Sequence, residues 1–144
     1  MDKLLRILIV DDNENDLELT MDAFNEHKLA NNIDIAVDGE EALDYLNKRG
    51  KFASRETGNP ILIILDLKLP KIGGIEVLRE IKSTKETKFI PVVVLTSSRE
   101  ESDIIKSYSY GVNAYVVKPV EFEDFVNAVG HLGMFWALIN EPPK

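Results

Sequence analysis

Residues 61–70 read ILIILDLKLP and contain the clearest strand signal of the chain. The first five residues are all apolar and mostly β-branched, which is typical of a strand covered on both faces of a parallel sheet. Asp66 follows at once, at a position where a charged group must find a partner. The stretch therefore predicts a central strand with a carboxylate at its carboxyl end.

Four further apolar runs lie on either side of this strand in the sequence, and we interpret each as a strand. Residues 92–95 are apolar throughout, whereas residues 33–37 alternate around Asp34 and suit an edge strand better. The other two runs are residues 7–10 and 114–117. Apolar residues at helical spacing separate the strands, namely Leu17, Met21 and Phe24; Ala42 and Leu46; Val77, Leu78 and Ile81; and Ile104, Ile105 and Tyr108.

Strands that alternate with helices indicate an α/β fold with right-handed crossovers. We predict a doubly wound (βα)5 three-layer sandwich whose parallel sheet has the flavodoxin-like order 2-1-3-4-5. Residues 50–60 are polar without an apolar period and predict a loop, and a last helix begins near Glu121. We expect one domain over residues 1–144, with a core at about 5–130 and a helix extension and tail at about 131–144.

The composition excludes several classes of function. Lys and Arg total 17 against 25 Asp and Glu, so the net charge is −8 and the chain lacks the basic surface that nucleic acid requires. The absence of cysteine excludes disulfides, thiolate metal sites and a cysteine nucleophile. The apolar runs are too short to cross a bilayer and the N-terminus lacks a signal-peptide pattern, so we expect a cytoplasmic protein that binds neither nucleic acid nor membrane.

The residue after each strand indicates where a ligand would bind, because the crevice of an open parallel sheet lies at the carboxyl ends of its strands. Asp11 and Asp12 follow the first strand, Asp66 the third, Thr96 the fourth and Lys118 the fifth. In the predicted order these strands are neighbours. Three carboxylates, a hydroxyl and an ammonium therefore converge on one patch.

Each of these residues also has a purely structural interpretation. Asp11 or Asp12 could cap the first helix, and Thr96 could be a cap or turn residue before the fourth. These five residues together nevertheless indicate a functional site far more specifically than any one of them does alone.

Carboxylates a few ångströms apart stay ionised only with compensation, so either their pKa values rise or a cation binds. One lysine does not neutralise three acids, and a hard divalent cation with oxygen ligands, Mg²⁺, is the expected partner. A cation and an ammonium that flank an aspartate also form a receptor for a phosphoryl group. The aspartate is then the nucleophile, and the hydroxyl supplies a hydrogen bond.

Over about residues 5–130 the chain resembles the receiver domain of two-component response regulators. The residues that carry the resemblance are Asp11, Asp12, Asp66 to Pro70, Gly74, Thr96, Ser97, Lys118 and Pro119. The resemblance implies that Asp66 is the phosphoacceptor and that Thr96 and Lys118 contact the phosphoryl group. It implies a Mg²⁺ site formed by Asp11, Asp12, Asp66 and the main-chain carbonyl of Lys68. Tyr115 matches the switch aromatic of the family, although on a strand it would otherwise be interpreted as a core residue.

The implied function is that of a stand-alone response regulator in a phosphorelay, which is not an enzyme. A sensor histidine kinase would phosphorylate Asp66, and the surface of the fourth helix, fifth strand and fifth helix would then switch. The ending Phe135 to Leu138, followed by Pro142 and Pro143, resembles single-domain regulators that accompany bacterial phytochrome kinases. The family also implies a cis peptide bond between Lys118 and Pro119.

The last predicted helix favours a homodimer. Its apolar stripe extends to Trp136, beyond the part of the helix that the sheet needs for cover, and an exposed apolar patch usually marks an interface. The alternative is a tail that folds back onto its own domain. The stripe consists of Phe122, Phe125, Val126, Val129 and Leu132.

Three other functions compete with this interpretation. A phosphatase of the haloacid dehalogenase type needs a second acid two residues after its nucleophile, where this chain has Lys68. A flavodoxin needs a first loop that binds phosphate, whereas the acidic residues from Asp12 to Asp16 would repel one. A phosphorylation-independent interaction module is disfavoured because every chemical position is filled.

Overall fold

The computed structural model describes residues 6–25, 33–56 and 58–118. Within them five strands alternate with four helices. The strands are β1 (Ile7–Val10), β2 (Ile33–Ala36), β3 (Leu62–Leu65), β4 (Val92–Thr96) and β5 (Ala114–Val117), and the helices are α1 (Glu14–Asn25), α2 (Gly39–Asn47), α3 (Gly74–Ser83) and α4 (Glu101–Ser109). The predicted fifth helix with its apolar stripe, the Lys118–Pro119 peptide bond and the tail lie outside the described residues.

The five strands form one parallel sheet in the order β2-β1-β3-β4-β5. This confirms the predicted doubly wound, flavodoxin-like architecture. It also confirms the edge position of β2, whose alternating sequence distinguished it from the uniformly apolar β3. The order reverses between β1 and β3, so the carboxyl ends of these two strands border the crevice where ligands of such sheets bind.

The three central strands are buried at every residue, as is typical of the central strands of a parallel sheet. One layer of the core joins the sheet to α2 and α3. Each large aliphatic side chain buried in this way contributes about 1.5–3 kcal/mol to folding. The strand ends are therefore held by a rigid core, which fixes the side chains that follow them. This layer includes Leu8, Val10, Ile63, Leu65, Ala42, Leu46, Val77, Leu78 and Ile81.

Most of the apolar stripe predicted for the fourth helix does not face the core. The helix is present as α4, yet Ile105 is 60% exposed and Tyr108 is 51% exposed. Ser107 is instead the buried residue of α4. At 100° per residue Ile105 lies on the far side of the helix from Ser107, so the helix packs on a small polar residue and leaves apolar side chains in solvent.

The predicted loop at residues 50–60 contains one 3₁₀ turn, Gly50–Phe52. Phe52 packs edge-on against Tyr45 of α2, with the ring centroids 5.1 Å apart. Arg55 lies over the same Tyr45 ring at 4.1 Å and donates to the Tyr45 carbonyl. The long loop is therefore attached to α2.

The hydroxyl of Tyr45 extends this attachment to the edge strand, because it donates to Asp34 of β2. Arg6 also donates to Asp34, with its Nη2 2.6 Å from Asp34 Oδ1. Burial alone would raise the pKa of Asp34, but the hydrogen bonds from Arg6 and Tyr45 outweigh it and lower the pKa below its ordinary 3.8. The edge strand is thus fixed by an ion pair rather than by a neighbouring strand on that side.

Among the described residues, no helix combines the length and apolarity needed to cross a bilayer.

Candidate functional site

Four of the predicted site residues meet at the carboxyl edge of the sheet. Lys118, just after β5, places Nζ 2.7 Å from Asp11 Oδ2 and 2.9 Å from Asp66 Oδ2. The hydroxyl of Thr96, the last residue of β4, donates to Asp66 Oδ1 at 2.8 Å. Asp11, Asp66 and Thr96 are all buried. Little water screens their charges, so these hydrogen bonds are stronger than they would be at the surface.

Both oxygens of Asp66 have protein donors. Oδ1 accepts from the Thr96 hydroxyl and from the Lys68 N–H at 3.0 Å, while Oδ2 accepts from Lys118. Gly74 is part of the reason why Asp66 is held in this position. A Cβ there would overlap the carbonyl oxygen of Asp66 and the Cα of Leu67, so the turn behind the carboxylate closes only around a glycine.

Asn13, rather than Asp11 or Asp12, caps α1. Its side-chain oxygen accepts from the backbone N–H of Asp16 at 2.9 Å. Asp11 Oδ1 accepts from the backbone N–H of Asn13 at 3.0 Å, outside the helix. The capping interpretation of Asp11 and Asp12 is therefore wrong, and both carboxylates are left facing the crevice of the sheet.

Burial raises the pKa of Asp11 above its ordinary 3.8, although the bonds from Lys118 and Asn13 act in the opposite direction. The buried site therefore stabilises the ionised form of Asp11 incompletely. A further positive charge would restore the balance.

Asp11, Asp12 and Asp66 offer carboxylate oxygens that all lie within 4.8 Å of one another. Asp12 is exposed while the other two are buried, so the group is open on one side. A hard divalent cation such as Mg²⁺ takes oxygen ligands and keeps several of its waters, and these residues fit it. Lys68, whose carbonyl the resemblance adds as a ligand, lies in the turn directly after Asp66.

Asp16 is a site residue that the sequence analysis missed. Its Oδ2 lies 2.8 Å from Lys118 Nζ, as close as the two predicted partners of that lysine. Burial alone would lower the pKa of Lys118, but the hydrogen bonds to Asp11, Asp16 and Asp66 outweigh it and raise the pKa well above the ordinary 10.5. The lysine therefore keeps its charge at every physiological pH.

Tyr115 lies near the turn after β4 rather than against Asp66. Its hydroxyl donates to the Ser98 carbonyl at 3.0 Å. Ser98 in turn donates through its hydroxyl to Asp103 of α4 at 2.6 Å, and its N–H lies 3.4 Å from the Thr96 hydroxyl. Ser98, which the sequence did not single out, thus connects Thr96, Tyr115 and α4.

Comparison with known proteins gives a consistent result. The response regulator receiver domain family matches residues 7–130. The response regulator Rcp1 of Synechocystis is 38% identical over 130 residues, which cover 90% of this chain and 87% of Rcp1.

Three solved structures of similar proteins extend the comparison. The bacteriophytochrome response regulator RtBRR has a TM-score of 0.85 and 58% identity, over 97% of this chain and 84% of its own. A phosphorylated cyanobacterial phytochrome response regulator, RcpA, has a TM-score of 0.76 and 38% identity, over 96% of this chain and 98% of its own. Rcp1 itself has been solved with Mn²⁺ bound, at a TM-score of 0.75 and 37% identity over 96% of this chain and 98% of its own.

Proposed function

The chain belongs to the response regulator receiver domain family, and from that premise we propose that Asp66 accepts a phosphoryl group from a sensor histidine kinase in a Mg²⁺-dependent reaction. The observation that carries the proposal is the position of Asp66 between Thr96 and Lys118, beside Asp11 and Asp12. Response regulators are signalling proteins rather than enzymes that turn over a substrate, and we assign this chain the same kind of role.

The transfer is a displacement at phosphorus. A carboxylate oxygen of Asp66 forms the new O–P bond while the P–N bond to the kinase histidine breaks, and the imidazole leaves with the electron pair of that bond. The carboxylate loses its own charge in the new acyl phosphate, the departing imidazole takes up a proton, and the phosphoryl group brings its own negative charges into the site. Lys118 and the Thr96 hydroxyl donate to the phosphoryl oxygens in place of Asp66. A Mg²⁺ ion held by Asp11, Asp12 and Asp66, with the Lys68 carbonyl, supplies further charge neutralisation when bound.

The partner is inferred from the relatives. RtBRR is a bacteriophytochrome response regulator and RcpA a phytochrome response regulator, so we assign a phytochrome-type histidine kinase to this chain. Phosphotransfer from each histidine kinase of the source organism tests the assignment. The phytochrome-type kinase is expected to be the fastest donor.

The switch is expected to run from Thr96 to the face that α4, β5 and the predicted fifth helix form, here called the output face. When Thr96 turns toward the phosphoryl group, its contact with the Ser98 N–H is lost, and Ser98 holds both Tyr115 and Asp103. Tyr115 then moves with Thr96, and α4 shifts. Because Ile105 and Tyr108 of α4 are exposed, the output face presents apolar side chains, and we propose that it forms a homodimer.

Phosphorylation with labelled acetyl phosphate tests the central step. The wild type should be labelled in Mg²⁺ and lose labelling in excess chelator, because the buried carboxylates repel an anionic donor without the cation. Asp66→Asn should stay unlabelled. Asp22→Asn, which removes an exposed acid of α1, should be labelled like the wild type and serves as the matched control. Labelling of Asp66→Asn at the wild-type level would exclude Asp66 as the acceptor.

A further inference from the structure

The ammonium of Lys118 has three N–H donors, and three carboxylates surround it. Its Nζ lies 2.7 Å from Asp11, 2.8 Å from Asp16 and 2.9 Å from Asp66. Asp11 and Asp66 also belong to the group that fits a divalent cation, whereas Asp16 does not. Asp16 therefore contacts the lysine without sharing the cation, and it needs an explanation of its own.

Lys118 and a divalent cation compete for the same carboxylates. Both are positive, both contact Asp11 and Asp66, and in a buried site they repel one another more strongly than in water. A site with Lys118 and these two acids alone would bind the cation less tightly. A third carboxylate on the lysine offsets its positive charge from the side of α1.

The first turn of α1 fixes this third carboxylate. Asn13 caps the helix by accepting from the Asp16 N–H at 2.9 Å, which sets the backbone of residue 16. Asp16 is half-buried, so its charge acts at short range on Lys118 and is only partly screened by water.

We propose that Asp16 is a positioning residue that holds the Lys118 ammonium and offsets its charge, so that Asp11 and Asp66 can bind a divalent cation. The inference rests on the proposed function, because it concerns the same site. When Asp66 carries a phosphoryl group, Asp11 and Asp16 keep two of the three donors of Lys118, and the third donor turns to the phosphoryl oxygens.

Calorimetric titration of Mg²⁺ into the unphosphorylated protein tests the proposal. Asp16→Asn keeps the shape of the side chain and removes its charge, and its Kd for Mg²⁺ should rise by about three- to tenfold. Asp16→Ser removes the same charge with a residue that the first turn of a helix accepts, and gives a second measurement of the same quantity. Asp16→Glu should recover most of the lost affinity. Asp22→Asn, on the same helix but farther along it, should change Kd by less than about twofold.

Equal Kd values for Asp16→Asn, Asp16→Ser and Asp22→Asn would overturn the inference. So would a Kd for Asp16→Glu no lower than that for Asp16→Asn, because a carboxylate beside Lys118 would then not be what the cation site needs. These outcomes are separate from failure of the proposed function, which is measured by labelling of Asp66 in the wild type. Absence of Mg²⁺ binding by the wild type would overturn the inference together with the Mg²⁺ requirement of the transfer.

Discussion

Two adjacent glycines precede and begin α3, and they have opposite steric surroundings. A Cβ at Gly74 would overlap the backbone of Asp66 and Leu67, whereas a Cβ at Gly73 would meet nothing within 4 Å. We expect Gly74→Ala to destabilise the protein by about 1–3 kcal/mol, because the turn that carries Asp66 must open. Gly73→Ala should change stability by less than about 0.5 kcal/mol.

The free energy of unfolding in urea measures both variants, and Gly73→Ala is the matched control. Phosphorylation by acetyl phosphate supplies a second readout. Gly74→Ala should be labelled more slowly than the wild type, since displacement of Asp66 also breaks its alignment with Thr96 and Lys118. Equal stability of the two variants would contradict the close packing behind Asp66.

At the level of single residues, the sequence predicts which side chains form the site better than it predicts which side chains contact one another. Asp66, Thr96 and Lys118 could be assigned to one patch because each lies at the carboxyl end of a strand, and parallel strands end at the same edge. Asp16 follows no strand. It lies in the first turn of a helix, where acids are common for their effect on the helix dipole, so its contact with Lys118 emerges only from the folded chain.

Among the elements, β2 depends most on a single ion pair. The lowered pKa of Asp34 means that this group stabilises the folded state above its unfolded pKa of about 3.8 and loses that contribution as the pH falls through its lower folded pKa. Asp34→Asn should therefore cost about 1–3 kcal/mol near pH 6, where the charged Asp34 binds Arg6 and Tyr45. The cost should shrink below about pH 4 as the wild type becomes protonated.

Urea unfolding of the wild type and Asp34→Asn across this pH range measures the effect, with Asp22→Asn as the exposed-acid control. The control should parallel the wild type at every pH. A difference between wild type and Asp34→Asn that stays constant into strong acid would show that the ion pair does not control the edge strand.

Whether a segment is a helix or a strand was predictable where its apolar pattern was strong. Which side of a helix faces the sheet was not. The apolar runs identified all five strands, because β-branched runs between turns have few other solutions. The spacing of Ile105 and Tyr108 identified α4 but not the side that faces the sheet, since only packing reveals that Ser107 lies inward. The turn at Gly50–Phe52 was not predicted. It is held by the packing of Phe52 on Tyr45, and this contact joins two segments whose apolar residues follow no common spacing.

For the whole molecule, the exposed residues of α4 predict the assembly state. After treatment with acetyl phosphate and Mg²⁺ the wild type should sediment as a dimer. A variant with Ile105→Ser and Tyr108→Ser should remain a monomer, because the apolar contact of the output face is removed. Both side chains are more than half exposed, so folding should be little affected.

Leu19→Ser is the matched control for this experiment. Leu19 is 64% exposed on α1 and lies outside the output face, so this variant should dimerise like the wild type. Identical sedimentation of the α4 variant and the wild type would exclude α4 from the interface.

The bond between Lys118 and Asp11 joins residues 107 positions apart in the chain. Closing so large a loop costs entropy that local contacts do not repay, so this bond can form only after β5 has docked beside β4. A chain that is still being synthesised and lacks residue 118 therefore contains Asp11, Asp16 and Asp66 without the lysine that joins them. The complete arrangement around Lys118 is therefore a late product of folding, and a chain in which β5 has not docked lacks it.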